Sequence, residues 1–342
     1  MMNRAGKITS IKPLAAIPGG EVVIECEGFE IRTGEDYACL FDGVPAQIVG
    51  ASTNRVIVIV PEDAAGDVSV RLESGDTRSP PEKIIIGLML ADGLHIVSNP
   101  AFDADEEKII VTRSGSRGQQ MPVTLFRLTL EGELEDISGD LMNPTGVAFD
   151  KNGQLFVTSR AEGSVYRVNR QDEALPFAHD LGIATGIAFD KLGQMYVGDR
   201  SGTIFKINSF GETETFANLE QSIAAYHLAF GLDDALYVSR PNVASSDSIM
   251  KIDQDGEVST FYKGLGRPQG LAFDREGNLY VAASQAGRRG IIRISPDGEK
   301  SELFVTGMNV VGLCFGANGE MFLATNEAVY SLQLGVKGTL VG

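Results

Sequence analysis

The chain has 342 residues, with 46 acidic against 29 basic side chains and a formal charge of −17. That balance excludes a protein whose whole surface binds nucleic acid or anionic lipid. A hydrophobic content of 43% with 22% charge excludes a disordered chain, and the length suits one small and one large domain better than a single core.

The opening residues, MMNRAGKITSIKPLAAIPGG, hold no apolar core of signal-peptide length, and no stretch nears the roughly 20 apolar residues of a membrane span. Cys26, Cys39 and Cys314 are too few for a disulfide framework, and each sits among strand-like apolar residues. We expect them to be small buried hydrophobes in a reducing compartment, and hence a cytoplasmic protein with no membrane partner.

Residues 8–87 show no helical period. Alternating segments such as VVIEC, VIVIVP and VSVRLE are separated by turn signals at Pro18-Gly19-Gly20, Gly28, Asp42-Gly43 and Ala65-Gly66-Asp67. The pattern predicts a small all-β sandwich of about seven short strands. ITSIKPLAAIPGGEVVIECEGF, followed by FDGVPAQIV and VIVIVPEDAAGDVSVRL, resembles the IPT/TIG domains, which are immunoglobulin-like. The resemblance implies a spacer or interaction module over residues 1–87. A short apolar connection, residues 88–93, is expected to follow.

From residue 94 to residue 342 one pattern recurs as PAFDADEEKIIV, GVAFDKNGQLFV, GIAFDKLGQMYV, LAFGLDDALYV, GLAFDREGNLYV and GLCFGANGEMFL. Its Phe residues are Phe102, Phe149, Phe189, Phe230, Phe273 and Phe315, spaced 47, 40, 41, 43 and 42 apart. A period in the low forties with several strands per unit predicts a β-propeller. Each unit reads as a strand ending in Phe, a tight turn, a second strand (Leu155-Phe156-Val157), a third (Val165-Tyr166-Arg167-Val168) and an outer strand. The fold class is therefore all-β, an immunoglobulin-like β-sandwich followed by a six-bladed β-propeller of four-stranded blades.

These repeats are similar to those of the NHL and senescence-marker/gluconolactonase-like propellers, most closely at PQGLAFDREGNLYVA, residues 268–282. The shared residues are those that build blades, so function must come from the two faces. One face carries the turns after the first and third strands and is acidic, with Asp150, Asp190, Asp233, Asp255 and Asp297; turn chemistry and solubility account for it.

On the other face an Arg follows the second strand in four consecutive repeats: Arg113, Arg160, Arg200 and Arg240, with Arg117 and Arg267 on the same side. Guanidinium groups converging on a cleft suit a carboxylate, phosphate or sulfate. The alternative is that each pairs with a local acid such as Asp199 or Asp180. Thr145, Thr185, Gln269 and Asn326 are further candidates to line this mouth.

The gluconolactonase resemblance implies a divalent cation, calcium, held in the channel by Glu, Asn and Asp. Here only Asn99, with Asp199 after a second strand, offers such a donor; no cofactor is expected unless the channel is lactonase-like. His227 is the titratable group that should point at the channel, with Asp199 or Tyr226 as partner if it is a general base. Two functions follow. One is a propeller binding module for a small anionic molecule or a protein, with the IPT/TIG-like domain as spacer or interaction surface. The other is a gluconolactonase-like hydrolase of a lactone or ester, with His227 and Asp199 as its catalytic pair. RNA binding, which the NHL resemblance could imply, is disfavoured by the net charge and by the lack of aromatic platforms at the mouth.

Overall fold

The computed structural model describes residues 6–29, 37–113, 123–137, 141–242 and 246–339. These residues form strands and connections, and among them no helix is long and apolar enough to cross a membrane. The chain divides into two compact units. The first takes in residues 1–88 together with 286–291 and 303–309; the second holds the remainder.

In the first unit, one antiparallel sheet runs in the order Lys7–Lys12, Glu21–Glu27, Arg55–Ile59, Gln47–Ser52. A second sheet pairs Tyr37–Phe41 and Glu82–Ile86 with opposite edges of Gly66–Ser74. Ala15–Ala16 adds to it in parallel, with Ala16 opposite Thr306 on its other side. Period-2 alternation decides which residues form the core: Val68, Val70 and Leu72 are buried while their neighbours face outward. They join Val22, Ile24, Val56, Val58, Phe41 and Ile84 in one cluster. Burial of each such side chain contributes about 1.5–3 kcal/mol. Cys26 and Cys39 belong to this cluster as free thiols.

The second unit is built from four-stranded antiparallel sheets in simple sequential order. They are Ala101–Asp103 to Leu134–Asp136, Pro144–Phe149 to Ala174–Ala178, Ala184–Phe189 to Thr213–Asn218, and His227–Phe230 to Val258–Leu265. Leu271–Phe273, Leu279–Gln285, Arg288–Ile294 and Ser301–Thr306 follow the same order; their segments 286–291 and 303–309 group with the first unit. The last sheet runs Val310–Phe315, Glu320–Thr325, Val329–Gln333, and its outer strand is Leu88–Ala91, from the stretch between the two expected domains. This is the arrangement of a β-propeller.

Five of the six recurring Phe residues do the same job, and Phe149 packs against an aliphatic cluster with Ile110 instead. Phe189, Phe230, Phe273 and Phe315 lie 4.9 to 5.4 Å from Phe156, Tyr196, Tyr237 and Tyr280, each the aromatic residue on the second strand of the preceding sheet. Phe102 stacks on Phe322 of the last sheet at 5.7 Å, which closes the series. Tilted and edge-on pairs of this kind add about 0.5–1.5 kcal/mol beyond area burial. The turn aspartates are local caps. Asp150 Oδ1 accepts the N–H groups of Asn152 and Gln154, and Asp190 Oδ1 those of Leu192 and Gln194. The acidic face is thus turn chemistry, as its sequence implied.

Candidate functional site

The innermost strands of the second unit enclose a cavity of about 120 Å³. Three residues before the recurring Phe, the chain places Gly146, Gly186, Gly270 and Gly312. A Cβ there would meet neighbouring backbone: 2.6 Å from the Tyr226 carbonyl oxygen at Gly186, and 2.7 Å from the Asn99 Cα at Gly312. Backbones therefore crowd this end of the channel, and glycine is what lets them do so. In the other two repeats the same position is Asn99 and His227. The candidates Thr145, Thr185 and Gln269 lie one residue earlier.

The Asn99 side chain fills the crowded end. Its Nδ2 donates to the Leu271 carbonyl at 2.9 Å, and its Oδ1 accepts the Leu313 N–H at 3.1 Å. The amide ties two neighbouring inner strands together. His227 is only 3% exposed and lines the cavity. Burial alone lowers its pKa from 6.5 to about 4, so the imidazole is neutral at pH 7. Its ring has no hydrogen-bond partner among the described residues. Cys314 borders the same cavity, and burial pushes its thiol pKa up.

Asn99 and Asp199 do not provide a donor set for a divalent cation. The Asn99 oxygen is occupied as described. Asp199 Oδ1 accepts the N–H groups of Ile183 at 2.8 Å and Ser201 at 3.1 Å, and its Oδ2 accepts the Ser201 hydroxyl. A hard cation needs several convergent oxygens, and among the described residues no three His, Cys, Asp or Glu side chains gather for one. The expected partners of His227 are likewise committed, since the Tyr226 hydroxyl donates to the Glu220 carbonyl.

The arginines differ from one another. Arg240 Nη2 is 3.0 Å from Glu220 Oε2, a local ion pair of the kind weighed from sequence. Arg160 and Arg200 have no ion pair among the described residues. Neither Asp180 nor Asp199 supplies one: Asp180 Oδ2 lies 2.6 Å from His179 Nδ1, and Asp199 is spent on its own turn. Burial and then the charge of Arg200 pull the pKa of Arg160 below its ordinary value. The two guanidinium charges therefore repel one another, and neither has an ion-pair partner among the described residues. Backbone bonds set their places, with Arg160 N–H donating to Asn143 at 3.3 Å and Arg200 N–H to Ile183 at 3.1 Å.

Arg113 follows the strand Lys108–Thr112, and its N–H donates to Thr124 at 2.7 Å; Arg117 lies outside the described residues. Thr185 Oγ1 donates to Gly198 and accepts the Tyr226 N–H, and Thr145 Oγ1 reaches the Asn143 carbonyl at 3.4 Å. The Gln269 carbonyl accepts the Ser239 hydroxyl, and the Asn326 carbonyl accepts the Ile96 N–H. The Thr145 and Thr185 hydroxyls thus bond to backbone, while Gln269 and Asn326 are tied through their main-chain carbonyls. Arg288 belongs to the first unit, where its Nη2 donates to the Lys12 carbonyl at 3.1 Å. Sequence reasoning missed the exposed apolar residues beside the arginines, Met142, Ile183 and Ile223. Met142 and Ile223 stand seven residues before the recurring Phe and Ile183 stands six before it.

Residues 7–84 match the model of the IPT/TIG domain. No curated protein matches the chain in sequence. Among solved structures, a gluconolactonase from Xanthomonas campestris is similar at 14% identity and TM-score 0.56, over 89% of this chain and 99% of that one. An auxiliary nutrient binding protein from Bacteroides thetaiotaomicron is similar at 14% identity and TM-score 0.53, over 97% and 98% of the two chains. A structural genomics protein of unknown function from the same organism gives 13% identity and TM-score 0.57, over 97% and 99%. At such identities the likeness is one of fold, and the fold is an IPT/TIG domain with a β-propeller.

Proposed function

We propose that the chain is a binding protein whose six-bladed propeller takes an anionic ligand at the mouth bearing Arg160 and Arg200, with the IPT/TIG domain as spacer or second interaction surface. The observation that carries this is a pair of guanidinium groups that repel one another and have no carboxylate partner among the described residues. A half-buried guanidinium repelled by a second one is a costly arrangement that a bound anion would relieve. Likeness to a nutrient binding protein along nearly the whole of both chains supports the reading by analogy of fold.

The hydrolase alternative has one observation in its favour: a neutral, unpartnered His227 facing an internal cavity. It lacks a partner to orient the imidazole, and Asp199 is engaged elsewhere. Titration calorimetry with phosphate, sulfate and acetate tests the binding reading. Binding should weaken as ionic strength rises and vanish in the Arg160→Gln/Arg200→Gln double variant. Equal binding by that variant would remove the site. Hydrolysis of simple lactones lost on His227→Gln would favour the alternative.

A further inference from the structure

The cavity of about 120 Å³ between the innermost strands has an uneven lining. Five of the recurring Phe residues, Phe102, Phe149, Phe230, Phe273 and Phe315, border it, and no Asp, Glu, Lys or Arg among the described residues does. Residues 337–339 cover part of this aromatic end. Arg275 N–H donates to the Lys337 carbonyl at 2.8 Å, and Thr339 N–H to the Phe273 carbonyl at 3.0 Å. Of the hydroxyl, amide and imidazole side chains that border the cavity, two are committed. Asn99 ties the Leu271 carbonyl to the Leu313 N–H, and the Thr339 hydroxyl donates to the Phe273 carbonyl at 3.1 Å. The other two are Ser98 and His227, each 3% exposed, and neither side chain hydrogen-bonds to any described residue.

Buried polar groups normally find a partner, and an unpaired one destabilises the fold. Two of them bordering one cavity, with apolar walls beside them, mark a place where a ligand supplies what the chain does not. We infer that the cavity is a second binding site, for a small uncharged alcohol or phenol whose hydroxyl pairs with His227 and whose apolar body lies against the Phe side chains. Ser98 offers a further hydroxyl partner. A neutral imidazole presents one donor and one acceptor nitrogen, and a hydroxyl satisfies either. A carboxylate or an ammonium group would be buried beside no opposite charge, so the anion proposed for Arg160 and Arg200 belongs elsewhere. At roughly 10–15 Å³ for each water-sized group, the volume suits about ten non-hydrogen atoms, the size of a one-ring phenol.

The test compares 4-ethylphenol with ethylbenzene, which differ by the hydroxyl alone, on the full chain. In titration calorimetry the phenol should bind about tenfold more tightly, the gain expected from one hydrogen bond to a buried group. In His227→Leu that preference should fall to about twofold, with ethylbenzene bound at least as tightly as before. A second measurement does not depend on this variant folding. His95 and His179 are exposed, so His95→Asn/His179→Asn leaves His227 as the one imidazole of the chain, and 4-ethylphenol should move its NMR signals. Equal binding of the two compounds, binding of neither, or unmoved His227 signals would each overturn the inference. The Arg160→Gln/Arg200→Gln variant should bind 4-ethylphenol as the unaltered chain does, whatever becomes of phosphate. Loss of the phenol in that variant would place it at the arginines and also overturn the inference.

Discussion

Arg200 stands close enough to Arg160 to depress its pKa, second only to the effect of Arg160's own burial. Two unit charges at about 4 Å repel by about 1 kcal/mol in water and about 4 kcal/mol near a protein surface, and by less at longer range. Replacing Arg200 with Gln should therefore leave the ligand-free protein as stable as before, or more stable by up to about 1 kcal/mol after screening. The unaltered chain should gain melting temperature on adding phosphate, and the variant should not, because mass action stabilises only a protein that binds. Thermal unfolding with and without phosphate measures both. A clear loss of stability in phosphate-free buffer would show that Arg200 has a partner and would defeat the argument.

Asn99 is predicted to be structural rather than a ligand for a metal or substrate. Its amide satisfies the Leu271 carbonyl and the Leu313 N–H at the closed end of the channel. Asn99→Ala leaves both unpaired, at about 1–3 kcal/mol each. Asn99→Asp should be at least as harmful, since a carboxylate would face the Leu271 carbonyl. Urea unfolding should show a lower midpoint for both variants, with anion binding intact in the folded protein. Unchanged stability in Asn99→Ala would contradict the role.

The fold could be read from the chain because the same contact recurs. In five of the six repeats a Phe on the inner strand meets an aromatic residue of the adjoining sheet and leaves the same letters, and the Asp150 and Asp190 turns leave theirs. Long-range events leave no such mark. Nothing local shows that Leu88–Ala91 becomes the outer strand of the last sheet, since that pairing depends on a partner more than two hundred residues away. The candidate site was half legible. The row of arginines was visible, but Glu220 singles out Arg240 only in three dimensions. Asn99 and His227 stand out in the sequence as polar residues, while their equivalents in the other four repeats are Gly146, Gly186, Gly270 and Gly312, whose close packing shows only in three dimensions.

Those glycines yield a prediction with an internal control. Gly186→Ala would place a Cβ 2.6 Å from the Tyr226 carbonyl oxygen and 3.1 Å from the Leu228 side chain. The backbone contact cannot yield by a rotamer change, so inner strands must separate, at about 1–3 kcal/mol or more. Gly50→Ala, in the strand Gln47–Ser52, meets nothing closer than 3.8 Å. It should be neutral or gain about 0.4–1 kcal/mol through the unfolded chain. Parallel denaturation of the two variants decides the matter: equal effects would mean that the channel end is not close-packed.

His227 should give the protein an acid-side loss of stability distinct from that of its carboxylates. Burial holds its pKa at about 4 in the folded chain, against 6.5 when exposed. Above pH 6.5 the imidazole is neutral in both states and its contribution is constant. As pH falls from 6.5 towards 4, the unfolded chain binds a proton that the folded one refuses, and the folded state loses up to about 3 kcal/mol. Below pH 4 the folded protein protonates too and the loss stops growing. His227→Gln removes this slope, whatever its effect at neutral pH. The difference in unfolding free energy between the unaltered chain and the variant should therefore shift by a few kcal/mol between pH 7 and pH 4.5. A difference independent of pH would show that the ring is protonated in place, by water or by an acidic ligand reaching the cavity.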